Sequence, residues 1–157
     1  MRTRVLVHHA VSESLDLAAG TCSAMPEAGG ILLGAYRGAD MEVTGRTDPG
    51  PGDERQLFSF TRADPLHDAA NREAWHASGG TVSYVGEWHT HPWSGVEPSS
   101  TDAATWRSET KRCGRPMVFA LVAPGEWGLF VVRPRWPRPS ISRLVVLEAG
   151  DVGVVHG

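Results

Sequence analysis

Gly86-Glu87-Trp88-His89-Thr90-His91-Pro92-Trp93, followed after a short loop by Ser99-Ser100-Thr101-Asp102, brings two histidines, a serine and an aspartate close together along the chain. As a strand it places His89 and His91 on one face and Thr90 on the other, because successive side chains alternate. Pro92 ends the strand, having no N–H to give to a ladder. Residues Trp93 to Pro98 turn the chain, and Ser99 reads as a helix start. Two neutral imidazoles and the carboxylate of Asp102 then form a three-ligand set with a fourth position left for water. That is the catalytic rather than the structural zinc arrangement.

Each half has an ordinary structural explanation when taken alone. Histidine is a common polar residue of protein interiors as well as a common metal ligand. A serine followed three residues later by an acid resembles a helix capping box. With the two joined by a Pro-led loop, both ordinary explanations must hold side by side, and the metal reading is favoured. A general base is also needed, and there are two candidates. Glu87 shares a strand face with His89, where it serves equally as an ion-pair member or as a partner for a ligand histidine. Glu27, in Pro26-Glu27-Ala28-Gly29-Gly30-Ile31-Leu32-Leu33-Gly34, precedes an apolar run and otherwise reads as an exposed loop carboxylate. Spacing does not choose between them.

Outward from this centre, Val5-Leu6-Val7 reads as a strand and Ser12–Cys22 as a helix, with Ser12 or Ser14 as cap. Ile31-Leu32-Leu33 reads as a central strand. Met41–Gly45 and Gln56–Thr61 alternate around Asp48-Pro49-Gly50-Pro51-Gly52-Asp53, which predicts a hairpin with a long mobile tip. Asp64-Pro65 opens a helix running to Ala77, and Gly79-Gly80 ends it. Thr81–His91 is the metal-bearing strand, and Ser99–Arg112 a helix closed by Gly114. Met117–Val122 and Trp127–Val132 form a strand pair around Ala123-Pro124-Gly125-Glu126. Ile141–Leu147 is a last strand, and residues 148–157 are expected to form a loose, Gly-rich tail outside a domain of residues 1–147. Interleaved helices and strands predict one α/β domain, a sandwich around a mixed sheet.

The 157 residues, 41% of them hydrophobic, suit a single core. A formal charge of −3 gives no general argument for nucleic acid or membrane as partner. The apolar run after the basic N-terminus is broken by His8 and His9, which predicts a cytoplasmic chain without a secretion signal. Cys22 and Cys113 read as reduced thiols rather than a disulfide pair. Trp88 and Trp106 read as core residues, whereas Trp93, in the loop after the histidines, is a candidate for a substrate groove. Arg133-Pro134-Arg135-Trp136-Pro137-Arg138 is the one basic, aromatic stretch. It suits nucleic acid or an acidic partner in principle, and a solvated Pro-rich connector better, given the negative whole chain.

Glu27 with Gly29–Gly34, His89-Thr90-His91-Pro92 and Ser99-x-x-Asp102 together resemble the JAB1/MPN/Mov34 (JAMM) metalloenzyme pattern, over roughly Val5 to Val132. The wording of the central stretch is most similar to the bacterial branch encoded near E1- and E2-like proteins in mobile and antiphage elements. The resemblance implies a cytidine-deaminase-like α/β/α fold. It implies one Zn²⁺ with a catalytic water, held by His89, His91 and Asp102, with Glu27 as general base and Ser99 as oxyanion donor. Glu87 is left a supporting role. The implied activity is isopeptide or peptide hydrolysis after the C-terminal tail of a ubiquitin-like protein, with E1/E2-like proteins as partners. An extended tail is expected to add as a strand beside the active-site strand. The alternatives are trimming of a sulfur-carrier-type precursor and a non-catalytic MPN scaffold.

Overall fold

In the computed structural model, which describes residues 2–157, the central stretch lies inside a nine-stranded sheet. The elements are β1 (Val5–His8), α1 (His9–Thr21), β2 (Gly29–Arg37), β3 (Asp40–Arg46), β4 (Glu54–Arg55), β5 (Phe60–Thr61), α2 (Leu66–Ala77) and β6 (Ser83–Thr90). They continue with α3 (Ser100–Cys113), β7 (Met117–Ala123), β8 (Glu126–Arg133), β9 (Ser140–Leu144), β10 (Val146–Ala149) and β11 (Gly153–His156). Strand order across the sheet is β10-β11-β1-β3-β2-β6-β7-β8-β9, while β4 and β5 pair only with each other. The pairs β1–β3 and β6–β7 are parallel and the other pairings antiparallel, so the sheet is mixed.

Every residue of β7 is buried, as expected of a strand covered on both faces. Val118, Ala120 and Val122 join Val11, Leu15 and Ala19 of α1 on one side. Phe119 and Leu121 join Trp106 of α3 on the other, where Trp106 stacks on Phe119 with ring centroids 4.7 Å apart. Helices therefore cover both faces, the α/β/α layering the sequence predicts. Trp88 and Trp106 are both core residues. Gly86 allows β6 its close approach to β7, since a Cβ there would lie 1.6 Å from the Val118 carbonyl oxygen. A register shift in the β2–β6 ladder leaves Val85 as an extra residue, which brings Tyr84 onto the face of Glu87.

The structure departs from the sequence reading at four places. Helix α1 starts at His9 without a side-chain cap, and Ser12 and Ser14 donate instead to the carbonyls of His9 and Val11. The expected hairpin from Met41 to Thr61 does not form: β3 pairs with β1 and β2, and the chain beyond it folds into the separate β4–β5 hairpin. Its supposed free tip is anchored by Asp53, whose buried carboxylate accepts from the amides of Gly50, Ala63 and Asp64 and from His67. With His67 Nε2–H donating to Asp53, Nδ1 of the neutral ring accepts from the Thr47 hydroxyl at 2.6 Å, and that hydroxyl's oxygen accepts in turn from the Ile31 amide.

The last strand and the tail also differ. Residues 141–147 divide at Val145 into β9 on one edge of the sheet and β10 on the other, so the sheet curls until its edges meet. Residues 148–157 are not loose: β11 lies between β10 and β1, and Gly157 and Val145 exchange backbone hydrogen bonds of 3.0 and 3.2 Å. Glycine content hid a strand that earns its place by ladder pairing. Among the described residues, no helix is long and apolar enough to cross a membrane.

Candidate metal centre

His89 and His91 sit where β6 ends, and Pro92 and the following loop carry the chain to α3. Thr90 faces the other way and ties this end of β6 to the segment bearing Glu27. Its amide donates to Ala28 O at 2.8 Å and its hydroxyl accepts from Ala28 N at 2.9 Å. The His91 amide donates to Val122 O of β7 at 2.7 Å. His91 Nδ1–H donates to the Gly95 carbonyl at 3.1 Å, which fixes the tautomer and leaves Nε2 with a free lone pair.

The two imidazole nitrogens face each other and one oxygen each of the Asp102 carboxylate. His89 Nε2 is 3.1 Å from His91 Nε2 and 3.1 Å from Asp102 Oδ1, and His91 Nε2 is 3.2 Å from Asp102 Oδ2. A tetrahedral ion with bonds of ~2.0 Å requires ligand-to-ligand edges of ~3.3 Å. The separations between the side chains are close to that edge, and among the described residues they are the one His/Cys/Asp/Glu group gathered tightly enough that it could hold an ion.

Asp102 does two things at once. It closes a capping box on α3, with Oδ2 accepting from Ser99 N at 2.7 Å and its own amide donating to Ser99 Oγ at 3.1 Å. The same carboxylate faces both imidazoles, so its capping role leaves it placed to serve as a metal ligand as well. Burial opposes its ionisation, yet the bonds from His89, His91 and Ser99 hold the carboxyl well below the usual range.

Glu27 is brought within electrostatic reach of this triad. Burial raises its carboxyl above the ordinary value, His89 and His91 pull it down, and the Asp102 charge raises it again. Its backbone is clamped by the β4–β5 hairpin: Glu27 N donates to Gln56 O at 2.7 Å, and Arg55 Nε donates to Glu27 O at 3.0 Å. Ser99, exposed at the start of α3, uses its oxygen as an acceptor for the cap and keeps its O–H free to donate. Glu87 is elsewhere engaged. Its Oε1 accepts from Arg62 at 2.8 Å and from Tyr84 at 3.0 Å, the ion-pair role left open for it above.

Two features were not read from the sequence. The strand that carries the histidines has partners on both sides, β2 and β7, so a peptide does not add beside it as expected. Phe58, 77% exposed at the tip of the β4–β5 hairpin, stands 6.4 Å from the ring of the half-exposed Trp93. Leu57-Phe58-Ser59-Phe60 looked like the arm of a hairpin, and only the tertiary fold brings it beside the Trp93 loop.

A mixed-sheet α/β domain whose two histidines and one carboxylate could hold a metal ion, with a carboxyl and a hydroxyl nearby, has the donor set of a metal-dependent hydrolase. The chain belongs to the family described as prokaryotic homologs of the JAB domain, which matches residues 10–137. It is 43% identical over 82 residues to a CD-NTase/cGAS isopeptidase of Vibrio cholerae serotype O1, covering 52% of this chain and 53% of that one. It is 39% identical over 98 residues to a protein of the same name from Pseudomonas aeruginosa, covering 61% and 62%. The chain thus spans between half and two thirds of the length of these relatives. In fold it is similar to the solution structure of a protein from Desulfitobacterium hafniense, with a TM-score of 0.59 over 94% of this chain and 95% of that one at 17% identity.

Proposed function

We propose that the protein is a JAMM-type zinc metalloprotease, an isopeptidase that hydrolyses the amide bond after the C-terminal tail of a conjugated protein. The names of the two relatives support a CD-NTase/cGAS-type protein as a member of that conjugate. The bond is of the kind made in a bacterial ubiquitin-like conjugation pathway with E1- and E2-like proteins. The observation that carries the reading is the convergence of His89, His91 and the Asp102 carboxylate, with contacts of 3.1, 3.1 and 3.2 Å between them, and Glu27 in their field.

His89, His91 and Asp102 would hold the ion through two imidazole nitrogens and a carboxylate. When bound, zinc supplies Lewis acidity, bringing the pKa of a water from ~15.7 toward ~7 and polarising the scissile carbonyl. Glu27 accepts the proton of the attacking water and delivers it to the departing lysine ε-amine as the C–N bond breaks. Burial suits it to this work, because a carboxyl raised toward neutrality both takes and returns a proton. Ser99 donates its free O–H to the oxygen on which negative charge develops, a contribution of ~3 kcal/mol where comparable donors have been removed. Phe58 and Trp93 flank the approach and provide apolar contact for the extended tail.

The test is Glu27→Gln, which keeps size and hydrogen bonding but removes the base. Cleavage of a lysine-linked conjugate should fall by ~10²-fold or more with zinc content unchanged. Full activity in that variant refutes the role of Glu27. A tail-extended precursor assayed beside the conjugate separates deconjugation from precursor trimming.

A further inference from the structure

The basic stretch after β8 has no part in the metal centre, and the fold gives it a place. Arg133 closes β8 opposite Ser140, at the end of the strands away from His91. His91 stands level with Val122 and Arg133 just beyond the level of Met117, so about five residues of β7, or ~17 Å, separate the two levels. Here the curled sheet brings Arg2, Arg133, Arg135 and Arg143 around one cavity of about 400 Å³, with Ser142 among its lining residues. That volume is in the range of small-ligand sites.

The four guanidinium groups are poorly neutralised. Arg143 is paired with Glu97 at 2.8 Å. Among the described residues, no carboxylate lies within ion-pairing distance of Arg2, Arg133 or Arg135. Arg133 is half-buried, and its Nε and Nη1 donate to the hydroxyls of Thr3 and Ser142 at 3.3 Å, bonds that position it without cancelling its charge. Burial first, and then the positive charge of Arg135 and Arg2, lower its pKa from the ordinary arginine value. Such a cluster in a chain of net charge −3 is a standing demand for an anion. Trp136, next to Arg135, is 95% exposed and offers an open ring face.

We propose that this cavity binds a phosphate-bearing ligand of nucleotide size, its phosphates held by Arg2, Arg133 and Arg135 and its base stacked on Trp136. Guanidinium is the group that suits phosphate, since its planar fork donates in pairs to two oxygens. The exposed indole of Trp136, next in sequence to the cavity-lining Arg135, adds a stacking surface at the rim that accepts any base. A cavity of about 400 Å³ matches the size of a free nucleotide and is not a continuous track for a polynucleotide.

The experiment measures binding by Trp fluorescence and calorimetry on the full chain, with ATP, inorganic diphosphate, a single-stranded oligonucleotide and a glutamate-rich peptide as separate probes. ATP should bind saturably with quenching. Arg135→Glu should weaken both ATP and diphosphate at least tenfold. Trp136→Ala should weaken ATP severalfold and leave diphosphate unchanged. Both residues are exposed, and each variant's melting temperature, compared with the native one, shows that the fold is intact. The proposal is overturned if ATP and diphosphate fail to saturate at millimolar concentration, or if Arg135→Glu binds them undiminished. It is equally overturned if the acidic peptide or the oligonucleotide binds more tightly than ATP, which would assign the patch to a macromolecular partner. Conjugate cleavage by the same variants is read separately, and its outcome leaves the binding result standing.

Discussion

Replacing Asp53 with alanine should destabilise the protein by roughly 3–5 kcal/mol. The carboxylate is fully buried and accepts four hydrogen bonds, from Gly50 N at 2.8 Å, His67 Nε2 at 2.8 Å, Ala63 N at 2.7 Å and Asp64 N at 2.8 Å. Water can reach the Ala63 amide and take over its bond. It cannot reach His67, which is 0% exposed, so that ring loses its acceptor outright. Each buried donor left without a partner costs about 1–3 kcal/mol, and the range above corresponds to His67 losing its acceptor outright with Gly50 and Asp64 each losing about half of theirs, at about 2 kcal/mol per donor. For a domain of this length the loss corresponds to a fall in Tm of ~10 °C. Asp53→Asn keeps one accepting oxygen and should fall between the alanine variant and the native protein. The pH dependence has a definite sign. Burial opposes ionisation, but the bonds from Asp64, His67, Gly50 and Ala63 hold the Asp53 carboxyl well below its ordinary 3.8. A group with a depressed folded pKa contributes fully above its unfolded value, and the contribution is lost as pH falls through the folded one. The stability gap between native and Asp53→Ala should therefore be constant from pH 7 to about 5 and shrink below about 4. Urea melts at several pH values measure it. A loss under ~1 kcal/mol at pH 7, or a gap that widens in acid, refutes the reasoning.

Two further outcomes follow from packing and exposure. Gly86→Ala forces a methyl carbon to within 1.6 Å of the Val118 carbonyl oxygen, backbone against backbone, and should prevent soluble folding or reduce stability by ~3 kcal/mol or more in thermal melts. Trp93→Ala removes a side chain that is 55% exposed, so stability should change by less than ~0.5 kcal/mol, while KM for a tail-bearing conjugate rises severalfold and kcat is little altered.

The candidate metal ligands are legible in the sequence because their positions depend on local rules. Alternation along one strand, a proline stop and a helix cap together place His89, His91 and Asp102, and long-range packing has only to bring the strand end and the helix start together. The continuous apolar run at Ile31–Leu33 likewise announced a central strand, and Met117–Val122 one strand of a pair with Trp127–Val132. Local rules failed where tertiary context decides. Gly150 and Gly153 suggested a loose end, yet β11 is held by antiparallel pairing with β1, a register no local pattern reveals. Pro49, Pro51 and the nearby glycines suggested a mobile tip, yet Asp53 and His67 pin that segment, two residues whose relation is purely spatial. Glu27 was singled out from Glu87 only by family resemblance. The structure supplies a physical reason, since Glu87 is engaged by Arg62 and Tyr84 while Glu27 lies in the field of the imidazoles.

The most direct measurement is metal content by mass spectrometry of the purified native chain and of Asp102→Ala, after both are exposed to zinc and desalted. Convergence of His89, His91 and Asp102 on one ion predicts about one zinc per native chain and little retained by the variant, because two imidazoles alone bind weakly. Equal zinc in both proteins, or none in either, contradicts a shared site at these three side chains.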